Sequence, residues 1–232
     1  RFNVADGLQD NAYFWTTAFD MGVAIEDLSV ETNADAYNNR VYIVGLLADD
    51  TLEFRWATQT GTTWNEIPLG VTDAESALDA HWNTPVSGEH FLFLSYRSTL
   101  DELHVVKIDD GDVVNLNLAI NLNGSTAIAA YKGRIMVACE NTGTGSADQI
   151  VYQVSYDGGN AWAFGTIVGA SEGRNVSRLD LAARNGGGFA CTYGEEIGEP
   201  DKVWYTRREY GTGPATAAWV PVNGSSSATF IG

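Results

Sequence analysis

The sequence predicts an all-β fold, and three features of the chain lead to this prediction. Short stretches with alternating polar and apolar side chains recur along its length, for example at 149–154. Glycine is abundant at 25 residues and proline is scarce at five, which suits many tight turns between strands. No convincing helical period appears, and residues 73–81 could form at most one short turn.

A turn pattern repeats at a nearly even interval. An acidic or amide residue, any residue and a glycine follow an aromatic or branched stretch five times, ending at Gly22, Gly61, Gly111, Gly159 and Gly211. These glycines are 39, 50, 48 and 52 residues apart. A tryptophan follows three of them, at Trp64, Trp162 and Trp219. A period of about 40–50 residues with several strands in each period is typical of a β-propeller.

We therefore predict one domain, a five-bladed β-propeller of four-stranded antiparallel blades over residues 1–232. The four complete blades are 27–72, 74–122, 123–173 and 175–226, and the remnants 1–26 and 227–232 combine as a fifth. Closure by Ala228–Ile231 beside Phe2–Ala5 would remove the exposed sheet edges that invite aggregation. A β-sandwich or jelly roll is the alternative fold.

Each complete blade contains four predicted strands. In chain order they cover 28–30, 40–48, 52–58, 64–69; 77–82, 90–95, 102–108, 113–120; 127–131, 134–139, 149–156, 162–168; 179–183, 188–193, 202–207 and 218–222. The acidic pair in Ala48-Asp49-Asp50-Thr51 predicts a hairpin turn between the second and third strands of the first blade.

Charge and cysteine usage limit the possible partners. The net charge is −17, from 30 acidic and 13 basic residues, so nucleic acid and anionic membrane surfaces are disfavoured. No stretch has the roughly 18 apolar residues of a membrane span, and we expect no membrane insertion. No secretory signal is recognised at the N-terminus. Cys139 and Cys191 occur in matching strand contexts and are predicted to be buried free thiols.

The segment Ser155-Tyr156-Asp157-Gly158-Gly159-Asn160-Ala161-Trp162 has a recognisable spacing. Ser155, Asp157, Gly159 and Trp162 form the pattern Ser-x-Asp-x-Gly-x-x-Trp. This pattern resembles the Asp-box of sialidases and related β-propellers, and the resemblance concerns the fold. Sialidase activity would also need several converging arginines and a tyrosine nucleophile, which the chain does not supply on its inner strands.

Three aspartates are candidates for axial chemistry. Asp27, Asp79 and Asp180 are predicted on the innermost strands, and the fold resembles five-bladed glycosidases, which use a trio of carboxylates. Paired carboxylates act as general acid and as nucleophile or base on a glycoside. The simpler interpretation is that these side chains cap turns or bond to backbone. No Ser-His-Asp arrangement and no phosphate-binding loop are found. We expect no cofactor, although acidic loops leave Ca²⁺ possible.

Aromatic and amide side chains in loops indicate a binding function, because sugar C–H faces stack on rings while amides and carboxylates bond to hydroxyls. The candidates are Tyr37, Asn39, Trp82, Tyr193 and Tyr210. We therefore predict a non-catalytic, lectin-like or adhesive module that recognises a glycan or protein ligand outside the cell or on a particle or cell surface. One alternative is a structural subunit of a virion, fibre or cell surface that contacts another protein. The other is a glycoside hydrolase with axial carboxylates.

Overall fold

The structure is a computed structural model, and every element that it describes is a β-strand. The described residues are 5–6, 14–15, 25–32, 40–58, 64–83, 91–109, 112–121, 124–141, 149–168, 176–183, 188–195, 202–208, 219–221 and 228–229. The predicted all-β class is therefore confirmed for this part of the chain. No helix that could cross a membrane occurs in these ranges.

Sixteen of the strands form four antiparallel sheets, and the four strands of each are consecutive in sequence. The first sheet contains β3 (Ile25–Thr32), β4 (Arg40–Leu47), β5 (Leu52–Thr58) and β6 (Asn65–Pro68). The second contains β7 (Ala74–Asn83), β8 (Phe91–Ser98), β9 (Glu102–Asp109) and β10 (Asp112–Asn121). The third contains β11 (Thr126–Tyr131), β12 (Arg134–Asn141), β13 (Gln149–Ser155) and β14 (Ala163–Val168). The fourth contains β15 (Val176–Ala183), β16 (Phe189–Glu195), β17 (Lys202–Arg208) and β18 (Trp219–Pro221).

Tight turns join the central strands because a few residues adopt positive φ. Asp50, at φ 63°, lies in the predicted hairpin between β4 and β5, where the Leu47 amide donates to the Thr51 carbonyl oxygen at 2.9 Å. Lys132 and Gly133, at 51° and 75°, connect β11 to β12. Two consecutive positive φ values match the right-handed twist of the strands they join. Local turn chemistry thus fixes the register of these two hairpins.

Three apolar clusters fill the spaces between successive sheets. Phe54 and Leu94 belong to the cluster shared by the first and second sheets. Phe93, 0% exposed, packs with Val137 between the second and third sheets. A further cluster that includes Met136 joins the third and fourth sheets. Side chains alternate across each strand, so neighbouring residues such as Phe93 and Leu94 serve two different cores.

The two cysteines occupy equivalent places, as predicted. Cys139 on β12 and Cys191 on β16 are both free and buried. Cys139 contributes to the core shared with the second sheet, and Cys191 to the core shared with the third. Burial raises the pKa of the Cys139 thiol to about 12, with a further contribution from the neighbouring Glu140 carboxylate. Both thiols therefore act as small apolar groups of the core.

The predicted closure is not confirmed. Two short strands precede the first sheet, β1 (Ala5–Asp6) and β2 (Phe14–Trp15), and they pair with each other. The last strand, β19 (Ala228–Thr229), pairs with Lys202 and Val203 of β17.

β19 pairs with β17 because β18 covers only part of one edge of β17. One edge of β17 is covered by β16, and β18 covers only residues 206–208 of the other. The remaining length of that second edge accepts β19. The five-blade count stays a prediction.

The second sheet also differs from expectation at its first strand. β7 begins at Ala74, three residues before the predicted start at Ala77, and extends through Asn83. Its register with β8 is irregular between Ala74 and Ser76 and again between Ser76 and Asp79. Such bulges let a strand continue while local pairing is interrupted. They also set which way Asp79 points.

Candidate functional site

The first strands of the four sheets lie side by side and are linked by hydrogen bonds from backbone to side chain. The Ala80 amide on β7 donates to Ser29 Oγ on β3 at 3.0 Å. The Ile128 amide on β11 donates to Asp79 Oδ2 on β7 at 2.8 Å. The Leu179 amide on β15 donates to Ser125 Oγ, which precedes β11, at 3.3 Å. Each bond joins one sheet to the next, so these strands form the inner wall of the assembly.

The serine at the third junction is itself held by a carboxylate. Ser125 Oγ donates to Glu140 Oε1 at 2.7 Å, and the Ser125 amide donates to Glu140 Oε2 at 3.2 Å. Glu140 is 7% exposed, and a Cβ on Gly124 would lie 2.6 Å from the Glu140 Cβ. Glycine is therefore required at position 124 for the carboxylate to reach the serine. Sequence reasoning missed this pair, because no spacing relates Gly124 to a residue on the neighbouring strand.

The charges of two predicted axial aspartates act on the third, Asp79. Burial raises the pKa of Asp79 to about 6, and the charges of Asp180 and Asp27 add to this effect. The Ile128 and Ala80 amides act in the opposite direction and do not cancel it. Asp180 is exposed, whereas Asp27 and Asp79 are partly buried. Asp27, Asp79 and Asp180 lie on β3, β7 and β15, the first strands of the first, second and fourth sheets, and the axial site stays a prediction.

His81 lies two residues beyond Asp79 on the same strand. Burial lowers the pKa of its imidazole, while the Ala130 backbone and the Asp180 carboxylate oppose that shift. On the other side of Asp79, the hydroxyls of Ser95 and Thr126 lie 3.2 Å apart, both buried. These two hydroxyls bond to each other inside the protein and are not open to solvent.

No metal site is evident in the part of the chain that the structure describes. No group of three or more histidine, cysteine, aspartate or glutamate side chains there is arranged to hold an ion. The Ca²⁺ expectation remains untested.

The segment from Ser155 to Trp162 folds into a turn held together by its own side chains. Ser155, 0% exposed, accepts from the Gly159 amide at 2.9 Å and donates to Asp157 Oδ1 at 2.8 Å. Asp157 Oδ1 also accepts from the Ala161 amide at 2.9 Å. Trp162 Nε1 donates to the Gly159 carbonyl oxygen at 3.0 Å, and its ring packs on the core between the second and third sheets. Every residue of the motif has a structural role here.

The predicted ligand-binding aromatic residues are not brought together by the described part of the structure. Tyr37, Asn39 and Tyr210 lie outside the described residues, and Trp82 lies on β7. Tyr193 is 6% exposed and packs in the core between the third and fourth sheets, so it offers no surface platform. Phe189, Cys191 and Tyr193 are every second residue of β16, so they face the same side of the sheet, and this pattern places Tyr193 in that core.

One exposed aromatic ring was not singled out from the sequence. Phe164 on the outer strand β14 is 64% exposed, and it is the only exposed phenylalanine, tyrosine or tryptophan among the described side chains. It lies directly opposite Gln153 of β13. An aromatic ring beside an amide is a common surface for sugar contact. The sequence predicted only that Phe164 lies in a strand.

Structural comparison identifies what this arrangement resembles. The chain is similar to a six-bladed β-propeller lectin from Aleuria aurantia, whose structure concerns fucose recognition. The TM-score is 0.61 at 11% identity, over 88% of this chain and 64% of the lectin. The chain has a β-propeller-like fold. It spans less than two thirds of the length of the lectin.

Carbohydrate-active enzymes show a weaker similarity. An α-L-arabinofuranosidase from Clostridium thermocellum matches with a TM-score of 0.50 at 11% identity, over 85% of this chain and 73% of the enzyme. A bifunctional protein from Bacteroides eggerthii matches with a TM-score of 0.51 at 10% identity, over 85% of this chain and 26% of that protein. No protein-family model and no curated protein sequence match the chain. These identities support the fold alone.

Proposed function

We propose that this chain is a non-catalytic carbohydrate-binding module acting at a cell or particle surface, and that Asp27, Asp79 and Asp180 accept hydrogen bonds from sugar hydroxyls. The observation that supports the proposal is that Asp27, Asp79 and Asp180 lie on the first strands of three sheets, with the charges of Asp180 and Asp27 acting on Asp79. Asp79 remains there although burial and two like charges oppose its ionisation. Groups kept in a costly electrostatic environment are concentrated at functional sites.

The alternative of a purely structural role explains Asp79 less well. At the junction between the first and second sheets the Ser29 hydroxyl accepts the corresponding amide at 3.0 Å, without a charged side chain in that contact. A carboxylate is therefore not needed to join two sheets of this protein. The Ile128 amide donates to Oδ2 of Asp79, whereas Asp180 is exposed to solvent. Both groups suit a neutral sugar better than an anionic one, because carboxylates repel anions.

The test is a glycan array with the full chain, followed by titration calorimetry of any sugar that binds. Asp27→Asn and Asp180→Asn should each weaken binding about tenfold or more, the loss of a hydrogen bond to a charged group. The matched control is Asp49→Asn, which removes a carboxylate from the exposed hairpin between β4 and β5. Phe164→Ala tests the outer strand separately. Binding that depends on Phe164 but not on the aspartates would contradict the axial location, and binding of no sugar would contradict the function.

A glycoside hydrolase is the second candidate, and one observation favours it. A carboxyl whose pKa is raised to about 6 beside two further carboxylates has the properties of a general acid. Release of nitrophenol from aryl glycosides by the wild-type chain, abolished in Asp27→Asn and Asp180→Asn, would establish catalysis. Absence of release across a panel of such substrates removes this candidate.

A further inference from the structure

The outer strands of the four sheets differ in how well their free edges are protected. A free strand edge pairs readily with another strand unless charges, prolines or bulges prevent it. β6 carries Glu66, and the short β18 ends at Pro221. β10 begins with Asp112, and its pairing with β9 is irregular between Asn117 and Asn121. Each of these three strands thus has at least one feature that discourages pairing with a further strand.

β14 differs from the other three outer strands. Its sequence, Ala-Phe-Gly-Thr-Ile-Val, contains neither a charged residue nor a proline. In the part of the chain that the structure describes, β13 pairs with one edge of β14 and no strand pairs with the other. The register of β14 with β13 shifts only after Thr166, so Ala163–Thr166 is regular. β14 therefore offers a short, regular and uncharged edge.

The side chains along this edge are open to solvent, although the strand itself is held in place. Phe164 is 64% exposed, and Ala163 and Thr166 are exposed as well. Gly165 is paired with Tyr152 of β13, and a Cβ on Gly165 would clash with the ring and hydroxyl of that tyrosine. An aromatic ring over a glycine of an edge strand supplies packing that the glycine lacks. β14 thus keeps its strand form while Phe164 has a cross-strand neighbour on one side only.

We propose that the free edge of β14 pairs in antiparallel orientation with β14 of a second copy of this chain, which joins the two third sheets into one. The contact is isologous, because the same segment lies on both sides of it, as in a twofold dimer. Phe164 would gain its missing cross-strand neighbour from the second copy. The proposal goes beyond ligand binding and does not depend on it.

Charge favours a second β14 as the occupant of this edge. The chain has a net charge of −17, so two copies repel each other wherever their acidic surfaces meet. Like charges directly opposite each other destabilise a strand pair, and two β14 strands have no charges to oppose. A basic strand would find no carboxylate on β14 to pair with. A second β14 meets an equally uncharged strand.

The charged groups next to β14 do not oppose this arrangement. Asp157 lies in the turn before β14, and Lys107 of β9 donates to the Gly158 carbonyl oxygen in that turn at 3.3 Å. In an antiparallel pair the two copies of this turn lie at opposite ends of the shared strands. Four paired residues separate them by about 14 Å, which exceeds the Debye length of about 8 Å at physiological salt.

The contact is small, so the dimer should be weak. Pairing over Ala163–Thr166 buries far less than the roughly 1,200 Å² of total surface at which stable complexes begin. We therefore expect a reversible dimer with a dissociation constant between about 10 µM and about 1 mM.

The experiment is sedimentation velocity of the full chain from about 10 µM to about 1 mM, with amide hydrogen exchange at both ends of this range. The wild type should shift from monomer towards dimer, and exchange of the Ala163–Thr166 amides should slow as it does so. Salt should strengthen the association, because it screens the repulsion between two chains of charge −17. Weaker association at high salt would overturn the proposal, since it would mean that opposite charges hold the copies together.

A matched pair of variants tests the edge itself. Phe164→Lys places a charge on the edge and removes the aromatic ring, and it should weaken the dimer about tenfold or more. Leu100→Lys is the control, because Leu100 is 74% exposed in the hairpin between β8 and β9 and the substitution changes the net charge equally. This control should leave the dimer unchanged. Both residues are exposed, so both variants should fold.

Any of three other results would also overturn the proposal. One is a wild-type chain that stays monomeric up to about 1 mM, which would leave this edge to a strand of another protein. Another is equal association of Phe164→Lys and Leu100→Lys. The third is a dimer without slower exchange at Ala163–Thr166, which would mean that the copies meet through another surface. None of these measurements involves a sugar, so they stand apart from the test of function.

Discussion

Asp79 and Asp157 are the same residue type in opposite surroundings. Asp157 is exposed on the turn between β13 and β14, where the Ala161 amide and the Ser155 hydroxyl lower its pKa. Asp79 is partly buried on an inner strand, where burial and two neighbouring carboxylates raise its pKa to about 6. Hydrogen bonds thus favour the charge in the turn, and desolvation disfavours it at the inner strands.

The carboxylate of Asp157 therefore stabilises the fold, whereas the charge of Asp79 destabilises it. The turn satisfies Asp157 entirely with neighbours in sequence, within four residues. Asp79 takes its described partner from β11, 49 residues away, and gains two like charges nearby. The hydrogen bonds of Asp157 stabilise the turn, and this accounts for its presence. The surroundings of Asp79 do not stabilise its charge, which is why we place the proposed function at the inner strands.

The largest effect is expected from Asp79→Asn at pH 7.5. Removing a charge whose pKa is about two units above normal should stabilise the fold by about 2–3 kcal/mol, because one unit corresponds to about 1.4 kcal/mol. Urea unfolding of the variant and the wild type measures the difference. Asp49→Asn is the control, since it removes a carboxylate from the exposed hairpin and should not stabilise the chain. A less stable Asp79→Asn variant would remove the contrast between the two aspartates.

Ser155→Ala should have the next largest effect, in the opposite direction. The substitution leaves the Gly159 amide without its acceptor in a buried position and frees Asp157 from one of its donors. Loss of a buried hydrogen-bond partner costs about 1–3 kcal/mol, and we expect about 2 kcal/mol here. Urea unfolding at pH 7.5 measures the loss. Unchanged stability would mean that the motif does not hold the turn.

Asp157→Asn should show the smallest change. The exposed position screens its charge, so we expect a loss of about 0.5–1 kcal/mol at pH 7.5. The lowered pKa of Asp157 gives stability that is present above pH 3.8 and is lost as the pH falls below it. The difference in urea midpoint between wild type and variant should therefore shrink in acid. A difference that grows between pH 5 and pH 3 would contradict the structural role assigned to this carboxylate.

The repeat in the sequence was sufficient to predict most of the strands and the placement of three aspartates on first strands. The agreement is good for β4, β5, β12 and β13. Most of their ends differ from the predicted ends by no more than one residue. These are the second and third strands of their sheets, each paired on both edges and rich in buried apolar residues. Asp27, Asp79 and Asp180 are on first strands because the repeat determines which strand of a sheet each segment forms.

Contacts between sheets could not be read from the pattern. The bond from Ile128 to Asp79 depends on how β7 and β11 slide past each other, and the bulges in β7 shift that register. One residue of slip turns a side chain to the other face. The pairing of β19 with β17 depends equally on a strand edge left vacant by the short β18. Tyr193 is different, because alternation on β16 already indicated its burial.

The central claim is that the inner strands hold Asp79 in an environment that opposes its charge. Carbon-13 NMR of the aspartate side-chain carboxyl groups, titrated from pH 2.5 to pH 8 in the full chain, tests it directly at each residue. The account predicts a midpoint near pH 6 for Asp79 and one below 3.8 for Asp157. A midpoint at or below 3.8 for Asp79 would contradict the claim, and with it the basis for the axial site.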